Sequence, residues 1–409
     1  MTNNSYVVRN TNQNYRVFKQ KSPILPHLDI ELTERCNNNC IHCYINLPAN
    51  DNRAISQELN TDQWKDILHQ AADLGTLSVR FTGGEPLLRD DFQELYLYTR
   101  SLGIKVVLFT NARLITEEIA DLLVRVPPLK KIEVSVYGMK VKSYDAITHS
   151  PGAFYEFRRG LDLLIKNDIP FSVKSVLLPP NRNEIAEFED WAATIPGMPT
   201  PSYSVNYDLR ARRDLPEKNK RIKKMRFTPE ESLRLETMFE EVYRQNMAKF
   251  SAKFLNPQGD RLFRCGAGLN GSVDAYGKYQ MCLLLRHPDT VYDLTIGTLE
   301  EGLTKVFPEY RKKKATNPAY LQRCAKCFLK GLCLQCPARS WMEHGTLDTP
   351  VEYLCEVAHC QAVYLGLLEK GEKSWEITNW RDRIDQFVLS ELSQEDLAIH
   401  QPNKSVEST

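Results

Sequence analysis

Cysteine is the residue in this sequence best suited to do chemistry, and its eleven copies fall into two groups. The first lies in Glu34-Arg35-Cys36-Asn37-Asn38-Asn39-Cys40-Ile41-His42-Cys43-Tyr44, with the spacing C-x3-C-x2-C. Three thiolates on one short loop can cap three corners of an iron–sulfur cubane and leave the fourth iron open to another molecule. A structural zinc site needs four tetrahedral ligands. His42 could complete such a site, although as a residue between two ligands its ring is expected to point elsewhere.

The second group follows residue 264. Cys265, Gly277 and Cys282 give C-x11-G-x4-C, Cys324, Cys327, Cys333 and Cys336 give C-x2-C-x5-C-x2-C, and Cys355 and Cys360 close the set. Eight thiols are what two clusters of four cysteine ligands require. The quartet alone could also be a zinc knuckle, although its middle spacer is short for paired C-x2-C zinc ligands. No cysteine lies between Cys43 and Cys265, which suggests two metal-binding regions joined by a metal-free scaffold. Disulfides are disfavoured in a cytoplasmic protein. A cytoplasmic location is expected because Met1–Tyr15 is polar, with no secretory h-region, and no stretch approaches the ~18 apolar residues of a membrane span. A net charge of +1 excludes a globally basic nucleic-acid binder and a strongly acidic disordered chain.

The scaffold that must position these thiols alternates. Apolar, β-branched runs at 28–33, 77–82, 104–110, 131–136, 171–178 and 202–206 are separated by helical patterns at 61–74, 91–102, 116–126, 153–166 and 183–193. In the first helix Trp64, Ile67, Leu68, Ala71 and Leu74 share a face, and Gly75 is placed to end it. Six strands with helical crossovers predict an α/β fold, an open (β/α)6 partial barrel with its chemistry at the C-terminal strand ends. Residues 208–226, with nine basic and three acidic side chains, read as a solvated connector. Thr228-Pro229-Glu230-Glu231 predicts a capping box, followed by an apolar stripe of Leu235, Met238, Phe239, Val242 and Tyr243. The expected divisions are an N-terminal extension (1–24), the barrel (25–226), a linker helix (227–264), a cysteine-rich domain (265–365), and a C-terminal helix and tail (366–409) whose last fifteen residues are frayed.

The first cysteine loop resembles the cluster loop of the radical S-adenosylmethionine (SAM) superfamily, C-x3-C-x-aromatic-C, with His42 at the aromatic place. Further motifs resemble the family in order. Thr82-Gly83-Gly84-Glu85-Pro86 is similar to its SAM-amino motif; the glycines would let a ligand approach the backbone, and Glu85 would accept from an ammonium. Thr110-Asn111 is similar to a Thr-Asn-Gly turn, with Ala112 in place of glycine. The resemblance implies a [4Fe-4S] cluster on Cys36, Cys40 and Cys43 with an open iron for SAM. It also implies SAM contacts at His42, Tyr44, Gly83, Gly84, Glu85, Pro86, Asn111, Ser135 and Lys174, with Ser175 as a further polar contact and Arg210 as a carboxylate partner. No catalytic base is identified.

The eight later cysteines resemble the SPASM domain that follows some radical SAM barrels, departing where Cys333 and Cys336 are two residues apart instead of three. The resemblance implies two auxiliary clusters, of the [4Fe-4S] type: Cys265, Cys282 and Cys336, with Cys360, on the first, and Cys324, Cys327 and Cys333 on the second, completed by Cys355 or Cys360, of which Cys355 is favoured. Cys360 could instead be a hydrogen-atom donor or a structural cysteine. Members mostly modify peptides or proteins, so the implied activity is cleavage of SAM to a 5′-deoxyadenosyl radical that abstracts hydrogen from a peptide, installing a thioether or carbon–carbon crosslink in a ribosomally made precursor. The alternatives are a sulfatase-type formylglycine maturase, a small-molecule radical dehydrogenase, and a non-catalytic Fe–S electron carrier or zinc scaffold. Implied partners are a reductant such as flavodoxin or ferredoxin and, because about 27 residues precede the first strand, a separate leader-recognition protein. No nucleic-acid or membrane partner is expected. The basic segment suggests steering of an acidic precursor peptide.

Overall fold

The computed structural model describes residues 25–128, 131–199 and 201–392; the expected N-terminal extension and frayed C-terminal end lie outside them. Six parallel strands form where the sequence runs suggest, with ends shifted by a residue or more: β1 (His27–Thr33), β2 (Ser78–Gly83), β3 (Lys105–Thr110), β4 (Ile132–Val136), β5 (Phe171–Val176) and the two-residue β6 (Tyr203–Ser204). They pair in sequence order.

Period-two patterning explains the layering. Leu28, Ile30, Leu32, Val79, Phe81, Val106, Leu108, Ile132 and Val134 are fully buried. The alternate positions carry His27, Asp29, Ser78, Arg80, Glu133 and Lys174. Parallel strands covered by apolar groups on both faces read as continuous hydrophobic runs; these alternate, and the barrel interior is accordingly polar. A cavity of about 820 Å³ is lined there by His27, Arg80, Glu133, Ser172, Lys174 and Ser204, among others. His27 bridges Ser78 (2.8 Å) and Asp29 (3.0 Å), and Arg80 donates to Asp29 at 2.7 Å.

The first predicted helix forms as α1 (Thr61–Asp73), with an Asn60/Gln63 capping box, and Gly75 (φ 76°) follows its end. The remaining predicted crossovers form at 92–101, 117–125, 153–166 and 185–192. Two helices that pack near the first cysteine loop are absent from the sequence reading. α2 (Val141–Thr148) precedes the 153–166 helix, and α3 (Pro216–Met225) occupies the stretch read as connector. In α3 Pro216 starts the helix and Ile222 and Lys218 are buried, so the segment packs on one side and is not simply solvated.

The chain divides into two compact units, and their borders differ from the expected ones. The first joins the barrel to residues 265–312; the second comprises 227–264 and 313 onward. The reason is sheet pairing. β7 (Gly271–Val273) adds to β1 in parallel, and β8 (Lys278–Gln280) and β9 (Val291–Asp293) continue antiparallel, giving a nine-stranded sheet. Gly277 (φ 77°) turns the β7–β8 hairpin, which accounts for the glycine between Cys265 and Cys282.

In the second unit the Thr228–Glu231 capping box forms and starts α4 (Pro229–Glu236). A 3₁₀ turn at Thr237–Phe239 then separates α4 from α5 (Glu240–Phe254). The apolar stripe therefore does not run along one helix: Leu235 is buried, whereas Met238 and Val242 are exposed. α6 (Glu352–Tyr364) and α7 (Trp380–Glu391) complete a core around Cys327, Phe328, Leu329, Cys333, Leu354 and Ala358.

Candidate functional site

The C-x3-C-x2-C loop leaves β1 at the C-terminal mouth of the barrel. Its backbone is pinned by α2: Asn39 N donates to the Thr148 carbonyl (2.8 Å) and Ile41 N to that of Ile147 (2.9 Å). These carbonyls belong to the last turn of a helix, where no intrahelical donor remains for them. Arg113 clamps the other side, donating to the Asn37 carbonyl, to Asn38 Oδ1 (2.5 Å) and to Glu156 (2.8 Å). Asn46 closes the loop through Asn38 O (3.3 Å). Backbone N–H groups of Asn38 and Asn46 point at the sulfurs of Cys36 (3.3 Å) and Cys43 (3.4 Å), and Asn111 Nδ2 lies 3.8 Å from Cys36 Sγ.

The chemistry of this donor set fits a cationic centre. Burial, and then the neighbouring thiols, push Cys36 well up and Cys40 to about 12. Thiols so crowded ionise together only around bound metal, which deprotonates its thiol ligands. Tyr137 adds a hydrogen bond to Cys40 that partly offsets its burial. His42 stands beside Tyr137, ring centroids 5.7 Å apart, and burial pulls its imidazole down to about 4. Among the described residues no three His, Cys, Asp or Glu groups gather so as to hold a single metal ion; a four-iron cluster instead takes one thiolate per iron.

The other expected SAM contacts are distributed as follows. Gly83 and Gly84 serve a backbone crossing: a Cβ on either would meet the carbonyl of Thr33 at 2.1 Å or Arg35 at 2.2 Å, so the close approach there is made by the chain itself. Gly84 N and Glu85 N donate to those same carbonyls, and Pro86 opens a short 3₁₀ turn. Glu85 is fully buried and accepts from Thr110 (2.9 Å), Asn111 N (2.8 Å) and Leu87 N (3.2 Å); burial outweighs these bonds and pushes its carboxyl up to about 7. Asn111 gives its amide to Asn37 (2.8 Å) as well as to Cys36. Ala112, which follows Asn111 where the resemblance would place a glycine, is left-handed at φ 62°. Ser135 lies near the end of β4. Lys174 lies in the barrel interior, ion-paired with Glu133 and 4.9 Å from the centre of the Phe109 ring, while Ser175 is buried. Arg210 does meet a carboxylate, but that of the chain's own Asp214 (2.8–2.9 Å), and it also reaches Asn46. Tyr44 donates to Glu31 at 3.2 Å.

Glu31 belongs to a buried charge network that sequence reasoning did not anticipate. Arg286 binds Glu31 and Glu34 (2.7 Å), and Arg212 binds Glu34 (2.7 Å) and Asp274 (3.2 Å). Tyr276 donates to Glu34 at 3.3 Å. Three carboxylates face two guanidiniums, and burial pushes the Glu31 carboxyl up to about 7 despite Arg286. The network ties β1 and the cluster loop to the β7–β8 hairpin. Glu31 and Glu34 stand some 180 to 250 positions from Arg212, Tyr276 and Arg286, with no spacing signal to reveal the pairing. Tyr137, Asn46 and Arg113 likewise belong to no motif.

In the second unit Cys324, Cys327, Cys333 and Cys355 come together: Cys355 acts electrostatically on each of the other three thiols. Burial pushes Cys327 to about 11 and Cys333 to about 12. Ser374 Oγ sits 2.9 Å from Cys327 Sγ, and Arg323 Nη2 3.6 Å from Cys355 Sγ. This donor set fits a four-thiolate centre. Cys360 is five residues beyond Cys355 on α6, on another face, within electrostatic reach of Glu230. Of the thiols expected on the other auxiliary cluster, Cys265 and Cys282 belong to the first unit and Cys336 and Cys360 to the second.

Comparison with known proteins bears on both units. Residues 30–192 match the model of the radical SAM superfamily. AdoMet-dependent heme synthase of Methanosarcina barkeri is 35% identical over 157 residues, 38% of this chain and 44% of that protein. PqqA peptide cyclase of Xanthomonas euvesicatoria pv. vesicatoria is 30% identical over 148 residues, 36% of this chain and 39% of that protein. The chain thus spans less than half the length of these curated relatives. Among solved structures, SuiB of Streptococcus suis bound to precursor peptide SuiA aligns with TM-score 0.60 at 17% identity, over 84% of this chain and 79% of SuiB. Native anSMEcpe with bound AdoMet and a peptide aligns with TM-score 0.58 at 14% identity, over 90% of this chain and all of that one. These two share the fold.

Proposed function

Because residues 30–192 match the model of the radical SAM superfamily, we propose that this protein is a radical SAM enzyme that modifies a peptide. One observation carries the reading: three thiols, Cys36, Cys40 and Cys43, are gathered on one loop at the C-terminal end of the first barrel strand, each within electrostatic reach of another. They would hold a [4Fe-4S] cluster with SAM on its fourth iron. Bound there, the two cofactors supply a 5′-deoxyadenosyl radical for hydrogen abstraction.

The chain's own contribution is positional. α2, Arg113 and Asn46 fix the loop, and N–H groups of Asn38 and Asn46 aim at thiolate sulfurs, the kind of contact that sets cluster potential. Glu85 joins the ends of β2 and β3. Asn111 and Ser135 stand at strand ends, where SAM contacts are proposed; Lys174 and the other charged groups of the cavity would orient substrate. Cys324, Cys327, Cys333 and Cys355 would hold one auxiliary cluster, and a second auxiliary cluster is proposed. A low-potential protein such as flavodoxin or ferredoxin is the proposed reductant, with a separate leader-recognition protein for a ribosomal precursor.

The peptide reading, with a thioether or carbon–carbon crosslink as product, draws support from the likeness to PqqA peptide cyclase. A second reading, a radical reaction on a tetrapyrrole, draws support from the likeness to AdoMet-dependent heme synthase. Anaerobic reconstitution tests the common core: iron of about twelve per chain, and 5′-deoxyadenosine formed from SAM with dithionite, are expected. Cys36→Ala, Cys40→Ala and Cys43→Ala should each abolish that cleavage; survival of cleavage would refute the mechanism. Mass shifts in candidate precursor peptides, set against turnover of iron coproporphyrin, separate the two substrate classes.

A further inference from the structure

The basic stretch 208–226 is not uniform once folded. Three of its cations are spent inside the protein. Arg210 is on Asp214 and Asn46, Arg212 is on Glu34 and Asp274, and Lys218 donates to Asn46 at 2.7 Å. Lys220, Arg221, Lys223 and Lys224 are instead exposed, all on α3. Lys220 pairs with Glu217 at 2.8 Å, but both are exposed, and such pairs neutralise little of a surface field.

α3 borders a recess of about 680 Å³ lined by Cys36, Asn37, Pro48, Leu215, Pro216 and Arg221, among others. Cys36 is therefore approached from two sides. Asn111, at a strand end, lies on one. The recess lies on the other, and neither Asn111 nor any residue of the strand-end Gly83–Pro86 turn lines it. Cys36 thus borders a recess that has an apolar lip (Leu47, Pro48, Leu215) and lies beside a cationic helix. Electron transfer falls off steeply with distance, so a donor must reach the cluster where the protein is thinnest. Redox encounters are small and transient, and charge complementarity steers them.

We propose that the recess beside Cys36 and the exposed cations of α3 form the docking surface for an acidic, low-potential, one-electron donor protein. This rests on the radical SAM reading above. One electron leaves the reduced donor and arrives at the cluster, and no bond is made or broken. A peptide substrate has no need to approach this side, because radical chemistry belongs to the barrel mouth.

The test uses the reconstituted full chain and a reduced flavodoxin of strongly acidic surface, with cluster bleaching followed by stopped flow across a range of ionic strength. The variant Lys220→Glu/Arg221→Glu/Lys223→Glu/Lys224→Glu should reduce about tenfold or more slowly at low salt and lose its salt dependence. Its bleaching by dithionite should be unchanged, as should iron content and circular dichroism. The milder set with Gln at the same four positions should fall between. Lys312→Glu/Lys313→Glu, elsewhere on the surface, should behave as wild type. Unchanged flavodoxin-driven reduction in the Glu variant overturns the proposal, even where that variant has lost affinity for an acidic peptide, and so does an equal slowing with dithionite. Absence of 5′-deoxyadenosine from the wild-type protein with dithionite and SAM would instead count against the enzymatic reading.

Discussion

The two cysteine regions use one side chain in opposite surroundings. Cys36, Cys40 and Cys43 sit on a loop that polar groups hold from several sides: the carbonyls ending α2, the Arg113 guanidinium, and the amides of Asn46 and Asn111. Cys327 and Cys333 are embedded in the apolar core of their unit, with Phe328 and Leu329 between them. A loop fixed by directional bonds can keep one side open, which suits a ligand-exchanging iron. A core fixed by burial closes around its contents, as fully ligated centres require.

The largest expected effect comes from exchanging the logic. Cys333→Ala should cost about four irons per chain and loosen the second unit, because the proposed four-thiolate centre would be lost from its core. Cys40→Ala should also cost about four irons while leaving protease resistance of the second unit intact. Iron assay with limited proteolysis decides; equal resistance in the two variants would erase the contrast.

Next in size is Arg286→Met. It strands Glu31 in a buried site and leaves Glu34 and Asp274 to Arg212 alone, and removal of one partner from such a network costs about 3–5 kcal/mol. Denaturant unfolding should show the loss in the first unit alone.

The two regions should also diverge with pH. Glu31 and Glu85 have carboxyls raised by burial to about 7. The folded state therefore takes up their protons more readily, and the stability they contribute is full below about pH 4.5 and lost as pH rises to 7. His42, lowered to about 4, opposes part of this below pH 6.5. Net stabilisation of the first unit by roughly 2 kcal/mol from pH 7.5 to 5.5 is expected. In the second unit burial lowers His359, so stability there declines as pH falls through 6.5. Hydrogen exchange corrected for intrinsic rates reads each unit separately, and parallel trends would contradict the assignment.

The smallest effects concern backbone strain that the regions share. Ala112 (φ 62°) and Leu334 (φ 54°) are left-handed beside their thiols. Ala112→Gly and Leu334→Gly should each stabilise by up to about 1 kcal/mol, the left-handed penalty less the chain entropy of glycine. A loss above that size in thermal melts would mean that side-chain packing outweighs backbone strain at these positions.

Much of this was legible in residue order. The strands showed because short apolar, β-branched runs are local, and α1 because its apolar face and the glycine after it lie within fifteen residues. α2 was hidden because its sequence, Val141–Thr148, has a modest apolar pattern and no side-chain cap. The β7 extension was hidden because three residues carry too little signal to announce a strand whose partner is some 240 positions away. Arg210 shows the other limit: its charge was evident, its partner Asp214 was not.

Sequence alone determined the thiol count, the spacing that leaves one loop a ligand short, and the order of the parallel strands, since these are written in neighbouring residues. Tertiary structure decided which thiols meet, that Gly83 and Gly84 yield to the chain's own carbonyls, and which cations of 208–226 remain at the surface. Those outcomes depend on burial and on pairings between distant segments, and desolvation is a property of the folded surroundings that no residue carries by itself.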